Sequence, residues 1–555
     1  MPLSDSIYIS ESERAARQAF SQWQREPASP SFGCFDRQYW GWKKKDFADA
    51  TLQAAITLCL SYAARHNQTK DLPALLEGYV GYLERIQHAD GSFDQAYPFE
   101  RAPGVVHDLL TPFIKLWQSP HLDPIPAVRD RLEKVIRKSV AYALTSDEKH
   151  GEIANHFAHY AWELINYGKT FGHVEAQAYG ERYLERTLAL FNEEEGWFRE
   201  YDGADAGYQT RLLSFLTRIA ALTGNEPLWA VCEKAATFFD AMLMPNNSLH
   251  PMLGVRSTAL IYPSGFERLA ARNAAFAPLA ERVYSGWVTG VTPRPADVDF
   301  ENGIRIAEDA FEAAAIREAR LGGQPSVIPQ PAFRDFDLPE AGLYRRTLLA
   351  GESATRTVLF AAKLGGVVVA YDRRPDGWHL VWEDSGYLLL LSDDTRWLVR
   401  RAGAGKADII AGDTLGAEAT FEQALHEDLT PFKLLVLRTL NLTLLRSQWI
   451  GDLFKKIVVR RLISGHKSFP IVLKRKVTIR DLGVTVTDRL VADPGLAGRL
   501  DGARLYRCRR TIGNHMASSR YYQPDDFVGS QKWLEPIPLE VLDGREISQR
   551  LPIVN

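Results

Sequence analysis

The sequence predicts an α+β protein of more than one domain, in which a helical N-terminal part precedes a β-rich C-terminal part. The chain has 555 residues, which is too long for a single hydrophobic core. Apolar residues recur at helical spacing from about residue 46 to 320, and after residue 330 they alternate with a period of two. The change of period near residue 330 therefore predicts a change of architecture there.

Six segments of the N-terminal part have apolar residues at i, i+3, i+4 and i+7, as amphipathic helices do. They are 46–67, 72–87, 127–144, 175–191, 207–224 and 227–243. Asp46, Asp71 and Asn225 stand where helices are expected to begin, and Gly224 follows the expected end of one. Helix pairs recur about every 50 residues, which favours a helical array over an up-and-down bundle.

Strand-like segments occupy most of the C-terminal part. They are 344–350, 355–374, 378–402, 432–447, 469–492 and 503–513. Gly, Asp and Pro turns separate them, which predicts large antiparallel sheets packed face to face. The segment 268–330 is rich in Pro and Gly and is interpreted as the joint between the two parts.

Composition bounds the function and the compartment. The formal net charge of −3 argues against a nucleic-acid partner, and the basic run at 454–467 is interpreted as a solvated helix face rather than a membrane or polyanion patch. No apolar run approaches the roughly 20 residues that span a bilayer, so no stable membrane insertion is expected. The four cysteines are far apart, as isolated thiols in a reducing compartment are. Without a recognisable signal peptide the expected location is cytoplasmic, or periplasmic if a leader has been removed.

The common generic motifs of catalysis are missing from the sequence. It contains no GxxxxGK[ST] loop, no HExxH, no GxSxG elbow and no GxGxxG after a strand, which counts against a nucleotide enzyme, a zincin and an α/β-hydrolase. The 13 His do not cluster with the spacing of metal ligands. We therefore expect neither a metal nor a cofactor.

The stretch 151–168 is predicted to be a helix with polar residues along one face. Glu152, Asn155, His156 and His159 lie at i, i+3, i+4 and i+7, and Glu163 continues the row. A carboxylate beside each imidazole is expected to fix its tautomer and raise its pKa, as a general base requires. Such a row is either a solvated face or one wall of an active site. The second interpretation is favoured by the aromatic residues on both flanks, which are Phe157, Tyr160, Trp162 and Tyr167.

Three long loops between the helix pairs, 87–101, 193–208 and 245–267, combine Gly and Pro with aromatic and charged residues. Plain connections in a helical array are shorter, so these loops are interpreted as the rim of a shared cleft, or as aromatic plugs at one end of the array. Tyr208 is expected in the first turn of a helix, where the positive end of the helix dipole favours a phenolate, or it merely caps that junction. Arg256 suits a bidentate grip on a substrate carboxylate, or makes a structural ion pair.

Four stretches together resemble the heparinase II/III-like polysaccharide lyases, and the resemblance covers nearly the whole chain. They are ANHFAHYAWELINYG (154–168), GWFREYDGADAGYQTRLLSFL (196–216), RSTALIYPSGFE (256–267) and NHMASSRYYQ (514–523). The family implies an (α/α) toroid, which is an incomplete α/α barrel, joined to an antiparallel β-sandwich. This corresponds here to a helical extension at 1–45, a catalytic toroid at 46–325 and a β domain at 326–555.

The resemblance also implies roles for individual residues. Asn155 and His156 match the Asn-His pair that binds a uronate carboxylate, Tyr208 matches the acid/base, and His515 is the candidate from the β domain. From its own surroundings in the sequence, His159 is either a second base or only the partner that holds Glu163. The remaining expected substrate contacts are Arg256, Glu200, Tyr262, Trp162 and Tyr97.

These roles predict a lyase that cleaves a uronate-containing glycan by metal-independent β-elimination. A uronyl C5-epimerase needs the same groups and stays open. So do a glycosidase that uses Glu200, Asp202 and Asp205, and a non-catalytic glycan-binding protein in surface polysaccharide assembly. The family's common enzymes are exported, whereas no leader is seen here.

Overall fold

The fold is taken from a computed structural model that describes most of the chain. The described residues are 6–67, 70–147, 151–322, 335–350, 353–399, 406–411, 413–424, 430–451, 453–454, 467–480, 483–510, 521 and 534–551.

Helices make up the N-terminal part. They are α1 Ile7–Gln22, α2 Arg37–Trp40, α3 Ile56–Arg65, α4 Leu72–Ile86, α5 Pro103–Trp117, α6 Pro126–Ala143, α7 Ala154–Phe171, α8 Val174–Leu188, α9 Ala206–Thr223, α10 Glu226–Met242, α11 Ser264–Arg272, α12 Ala277–Thr289 and α13 Phe300–Leu321. Consecutive helices pack as pairs, α5 with α6, α7 with α8 and α9 with α10, and α7 also packs on α9. This is the helical array that the period of the sequence predicts.

Three helix boundaries follow the sequence signals, and one does not. Asp71 directly precedes α4. Asn225 accepts a hydrogen bond from the Leu228 amide at 3.0 Å and so caps α10, and Gly224 ends α9 in the left-handed region at φ +67°. The helix expected to begin at Asp46 begins instead with a 3-10 turn at Ala50–Ala55, which Asp49 caps through the Thr51 amide.

The expected joint at 268–330 is wrong for most of its length, because it contains α12 and the 22-residue helix α13. The three prolines of this segment that the structure describes lie where a helix tolerates them. Pro278 lies in the first turn of α12, and Pro293 and Pro295 precede α13, whose first amides are capped by Asp299.

Antiparallel strands make up most of the C-terminal part, after a three-stranded ribbon inside the helical part. The ribbon is β1 Phe191–Asn192, β2 Trp197–Glu200 and β3 Gly203–Ala204. A five-stranded sheet has the order β4 Phe336–Leu338, β5 Leu343–Ala350, β6 Ser353–Ala361, β7 Val367–Arg374 and β8 Gly377–Asp384. A nine-stranded sheet contains β9 Tyr387–Leu390, β10 Arg396–Val399, β11 Lys406–Ala411, β12 Thr414–Gln423, β13 Ser468–Arg480, β14 Gly483–Ala492, β15 Arg504–Cys508, β16 Leu534–Ile537 and β17 Asp543–Leu551.

The five-stranded sheet is buried on both of its faces. On β6, Val358 and Phe360 pack against the nine-stranded sheet, whereas the alternate residue Leu359 joins the core of the helical part. On β7, Val368 and Val369 divide between the same two cores. Successive side chains of a strand point to opposite faces, so helices, the smaller sheet and the larger sheet form three successive layers.

One expected strand, 432–447, is wrong, because helix α14, Pro431–Leu442, occupies most of it. Thr430 caps the helix by accepting a hydrogen bond from the Lys433 amide at 3.3 Å, and Pro431 occupies the first helical position. These two residues begin a helix in a segment whose Leu, Val and Thr content is typical of a strand.

The order of the fold, a helical toroid followed by packed antiparallel sheets, confirms the predicted fold class. The boundaries at 45 and 325 stay predictions. None of the described helices is both long and apolar enough to cross a bilayer.

Candidate active site

A cavity of about 560 Å³ opens in the helical part, on the side where the long loops lie. Its lining comes mainly from α5, α7, α9, α13, the loop 87–101 and the loop 250–262. Most of the lining side chains are cationic, phenolic or acidic rather than apolar. The lining includes Asp49, Gln95, Glu100, Asp108, His156, His159, Tyr160, Tyr201, Tyr208, Arg211, Arg256, Tyr262, Glu301, Asn302 and Arg305.

Five of the residues singled out from the sequence line this cavity together. They are His156 and His159 from α7, Tyr208 from the first turn of α9, and Arg256 and Tyr262 from the loop 250–262. They come from three separate elements that the fold brings to one place.

Four other predicted residues do not line the cavity. Asn155 and Glu200 are buried behind its wall. Trp162 donates from Nε1 to Thr111 Oγ1 at 2.9 Å, and the ring of Tyr97 meets Phe454 edge to face at 6.1 Å between centroids. The fifth, His515, lies outside the described residues.

Asn155 and Glu200 form a buried pair that fastens the start of α7 to the ribbon strand β2. The Asn155 amide and its Nδ2 donate to the two carboxyl oxygens of Glu200 at 2.8 and 2.7 Å. Burial raises the pKa of Glu200 to about 8, although the hydrogen bonds from Asn155 act in the opposite direction. The pair therefore positions the neighbouring residue His156 at the cavity wall.

Asp205 holds Tyr208 and Arg256 next to each other. Its Oδ1 accepts from the Tyr208 amide at 3.1 Å as the cap of α9, and its Oδ2 accepts from the Arg256 amide at 2.8 Å. The approach is close, because a Cβ on Gly254 would lie 2.4 Å from Asp205 Oδ2. Burial raises the pKa of Asp205 to about 6.

The Arg256 guanidinium lies beside the phenol side chains of Tyr201 and Tyr208. It lies 4.6 Å from the centroid of the Tyr201 ring. Burial lowers the pKa of Arg256, but the charges of Tyr201, Tyr208 and Asp205 and a hydrogen bond to the Tyr208 side chain outweigh it and leave that pKa raised. Arg256 therefore stays a cation beside the Tyr208 hydroxyl.

A second cationic group surrounds Asp108 on α5. Arg305 donates to its Oδ2 at 2.7 Å, Arg211 donates to its Oδ1 at 3.3 Å, and His159 Nδ1 lies 3.8 Å from Oδ1. Burial raises the pKa of Asp108, but the guanidinium groups of Arg305 and Arg211 lower it well below its usual range. The ionised Asp108 orients both guanidinium groups at the cavity wall.

The expectation that flanking carboxylates raise the pKa of His159 is wrong. Burial lowers that pKa well below its usual value, and Asp108 only partly offsets this. His159 Nε2 also lies 3.4 Å from Glu163 Oε1, but burial raises the pKa of Glu163 to about 8, so this carboxyl is mostly neutral near pH 7. His159 therefore faces the cavity as a neutral imidazole.

Sequence reasoning missed Asp49, Asp108, Arg211 and Arg305. Burial raises the pKa of Asp49 to about 7, so this lining carboxyl titrates near neutrality. The two arginines had one usable signal, since each lies on the helix of another lining residue. Arg211 follows Tyr208 by one turn, and Arg305 follows Glu301 at i+4, with which it forms an ion pair of 2.7 Å.

The carboxylates expected for the glycosidase alternative do not line this cavity. Glu200 is bound to Asn155 and Asp205 is the cap of α9, and neither these two nor Asp202 lines the cavity.

Tyr521, from the C-terminal part, does approach the cavity wall. Its hydroxyl accepts from Asn302 Nδ2 at 2.9 Å and donates to Asp299. This contact places Tyr521 at the N-terminal end of α13.

Comparison with solved structures finds polysaccharide lyases. A heparinase III with methylated lysines has 11% identity and a TM-score of 0.43, over 90% of this chain and 72% of that one. Heparan sulfate lyase HepC from Pedobacter heparinus has 12% identity and a TM-score of 0.42, over 89% and 70%. A third polysaccharide lyase has 12% identity and a TM-score of 0.36, over 57% and 99%.

Each of these likenesses is one of fold alone. No family model and no curated protein matches the sequence.

Proposed function

We propose that the chain is a lyase that cleaves a uronate-containing glycan by β-elimination. The observation that carries the proposal is the pairing of Arg256 with Tyr208 in a cavity that His156 also lines. Elimination from a uronide needs a group that neutralises the carboxylate and a group that moves a proton at the neighbouring carbon. Both kinds of group meet here.

The cations of the cavity suit the first task. The C5 proton of a uronide becomes acidic only when the carboxylate on that carbon is neutralised, because the departing proton leaves an enolate-like charge. Arg256 lies beside Tyr208, and Arg211 and Arg305, which donate to Asp108, line the same cavity. Guanidinium groups bind carboxylates in a bidentate way, so the cavity favours an anionic sugar over a neutral one.

Tyr208 suits the second task. The guanidinium of Arg256 places positive charge where a Tyr208 oxyanion forms, and the Asp205 cap fixes the backbone of both residues. In the proposed step the Tyr208 oxyanion takes the C5 proton, and the C5 electron pair forms the C4–C5 double bond. The C4–O4 bond breaks, and the departing O4 receives the proton from Tyr208. These steps need only side chains of the chain itself, and His159, as a neutral imidazole, is the second group able to accept the C5 proton.

The test is incubation with a panel of uronate glycans, including heparan sulfate, hyaluronan, alginate and polygalacturonate. The expected result is a product with the ultraviolet absorbance of an unsaturated uronate. Proton transfer by a positioned side chain accelerates such a step by roughly 10²- to 10⁴-fold, so Tyr208→Phe is expected to slow product formation by that factor. Arg256→Gln is expected to slow it as well, because the carboxylate then loses its cation.

Tyr179→Phe is the matched control, since Tyr179 lies on α8 outside the cavity and should leave the rate unchanged. Deuterium uptake at C5 is measured in parallel. Uptake without absorbance indicates a C5-epimerase and overturns the lyase. Full activity of both Tyr208→Phe and Arg256→Gln overturns the assignment of the site.

A further inference from the structure

Helix α14 shows its apolar side chains to solvent instead of to a core. Phe432, Leu435 and Leu442 are 74%, 64% and 67% exposed, and they lie on one face of the helix at i, i+3 and i+10. Trp449, beyond the helix, is 74% exposed. An apolar stripe of this kind normally faces the core of a protein. We call residues 430–451 the apolar arm.

The arm is fastened to the helical part on its other side, so the exposed face has a fixed orientation. Two residues of the arm itself, Asn441 and Leu445, are buried on this side. Arg438 forms an ion pair with Asp46 at 2.9 Å, and Arg101 donates to the Arg446 carbonyl at 3.2 Å. Contiguous exposed apolar surface on a fixed element marks an interaction site.

The charged residues of the arm are all basic. Residues 430–451 contain Lys433, Arg438 and Arg446 and no Asp or Glu, in a chain whose net charge is −3. The exposed apolar side chains of the arm are therefore accompanied along the chain by positive charge alone.

We infer that the apolar arm docks on the surface of an anionic lipid bilayer. Aromatic and leucine side chains on one face, accompanied by Lys and Arg, are the features by which a helix lies in the membrane interface. Each basic residue near an anionic surface adds electrostatic attraction that salt screens. A polyanionic glycan would bind the basic residues but offers no apolar surface to Phe432, Leu435 and Trp449. An anionic lipid bilayer binds both the basic and the apolar side chains.

The arm lies next to the cavity. Arg101 and Tyr97, which contact Arg446 and Phe454, belong to the loop that supplies Gln95 and Glu100 to the cavity lining. Docking therefore holds this rim close to the membrane surface. The binding itself does not depend on the proposed lyase activity.

The test is co-sedimentation of the full chain with vesicles of phosphatidylcholine alone, and with vesicles of phosphatidylcholine and phosphatidylglycerol in equal parts. The chain is expected to bind the anionic vesicles at least tenfold more tightly, and added salt should weaken the binding. The triple variant Phe432→Ser, Leu435→Ser, Trp449→Ser is expected to lose at least tenfold of this affinity. Circular dichroism and thermal melting verify that the variant is folded.

The control is a triple variant at exposed apolar residues of other helices, Val174→Ser, Leu222→Ser and Val288→Ser, which should bind as the wild type does. Quenching by brominated lipid gives a second readout, since replacing Trp449 by Phe should remove the lipid-quenched part of the fluorescence. Unchanged vesicle binding by the arm variant overturns the inference. If the chain does not bind vesicles, and both the wild type and the arm variant are retained on immobilised heparin, the surface binds a polyanion. If light scattering shows a dimer of the wild type that the arm variant does not form, the surface binds a second copy of the chain. Either result also overturns the inference.

Discussion

Replacing Glu163 by Gln should make the protein less sensitive to alkaline pH. Glu163 lies on α7 with its side chain 2% exposed, and it accepts a hydrogen bond from Thr111 Oγ1 at 2.8 Å. Burial raises its pKa from an ordinary value of 4.5 to about 8. Between these two values the folded protein holds a proton that the unfolded chain has lost. The free energy of unfolding therefore falls as pH rises through this window and levels off above the folded value.

The size of the effect follows from the separation of the two pKa values. Each unit corresponds to about 1.4 kcal/mol, so ionising Glu163 in the folded protein costs up to about 5 kcal/mol. Gln keeps the oxygen that accepts from Thr111 and has no proton to lose. The Glu163→Gln variant and the wild type should have similar free energies of unfolding near pH 5, and by pH 9 the variant should be the more stable by several kcal/mol.

Denaturant unfolding across this pH range, followed by the fluorescence of the tryptophans, measures the difference. Infrared difference spectra between wild type and variant give an independent check, because the band of a protonated carboxyl should disappear near pH 8. Glu185→Gln, at an exposed position of the neighbouring helix α8, is the control and should parallel the wild type at every pH. If the gap between wild type and Glu163→Gln is the same at pH 5 and pH 9, the carboxyl is not held neutral and the reasoning is refuted.

Two further changes are expected to act on stability alone. Arg475→Met should destabilise the β-rich part by about 3–5 kcal/mol, because the buried carboxylates of Asp384 and Asp488 lose the guanidinium that binds them at 2.9 and 2.7 Å. Urea unfolding checks this against Arg489→Met, which removes an exposed arginine from the same sheet and should have little effect. Gly91→Ala should be poorly tolerated, since at φ +94° a Cβ would lie 2.0 Å from the Lys138 carbonyl, and thermal melting that shows no loss contradicts this.

Local periodicity was enough to predict the order of the fold, but not every element. Helices such as α9 and α10 have both an apolar stripe and clear ends at Gly224 and Asn225. The Leu, Val and Thr residues of α14 fit both periods, and within the described part of the chain most of its apolar side chains are exposed rather than packed in a core that would decide between helix and strand. Pro293 and Pro295 suggest a break in the sequence, although they lie before the first turn of α13, which runs unbroken from Phe300 to Leu321.

The candidate site was predictable where a residue departs from its surroundings. Tyr208 and Arg256 stand in or beside Gly-rich loops with an acidic cap between them, and this signal is local. Arg211 and Arg305 share helices with Tyr208 and Glu301, but no local signal in the sequence places them beside Asp108. Only the closure of the helical array brings them to Asp108, which lies more than 100 residues from Arg211 along the chain. No spacing rule predicts such a meeting.

Because the smaller sheet is buried on both faces, it limits how the chain can be divided into separately expressed fragments. The strands β6 and β7 contribute Leu359, Val369 and Tyr371 to the core of the helical part. A gene fragment that ends after α13 lacks these side chains and leaves the apolar helix surface beneath them open to water. The complementary fragment exposes the other side of the same contact. The two fragments are therefore expected to aggregate when expressed separately and to be recovered together when coexpressed. The helical part is then expected to need the smaller sheet in order to fold.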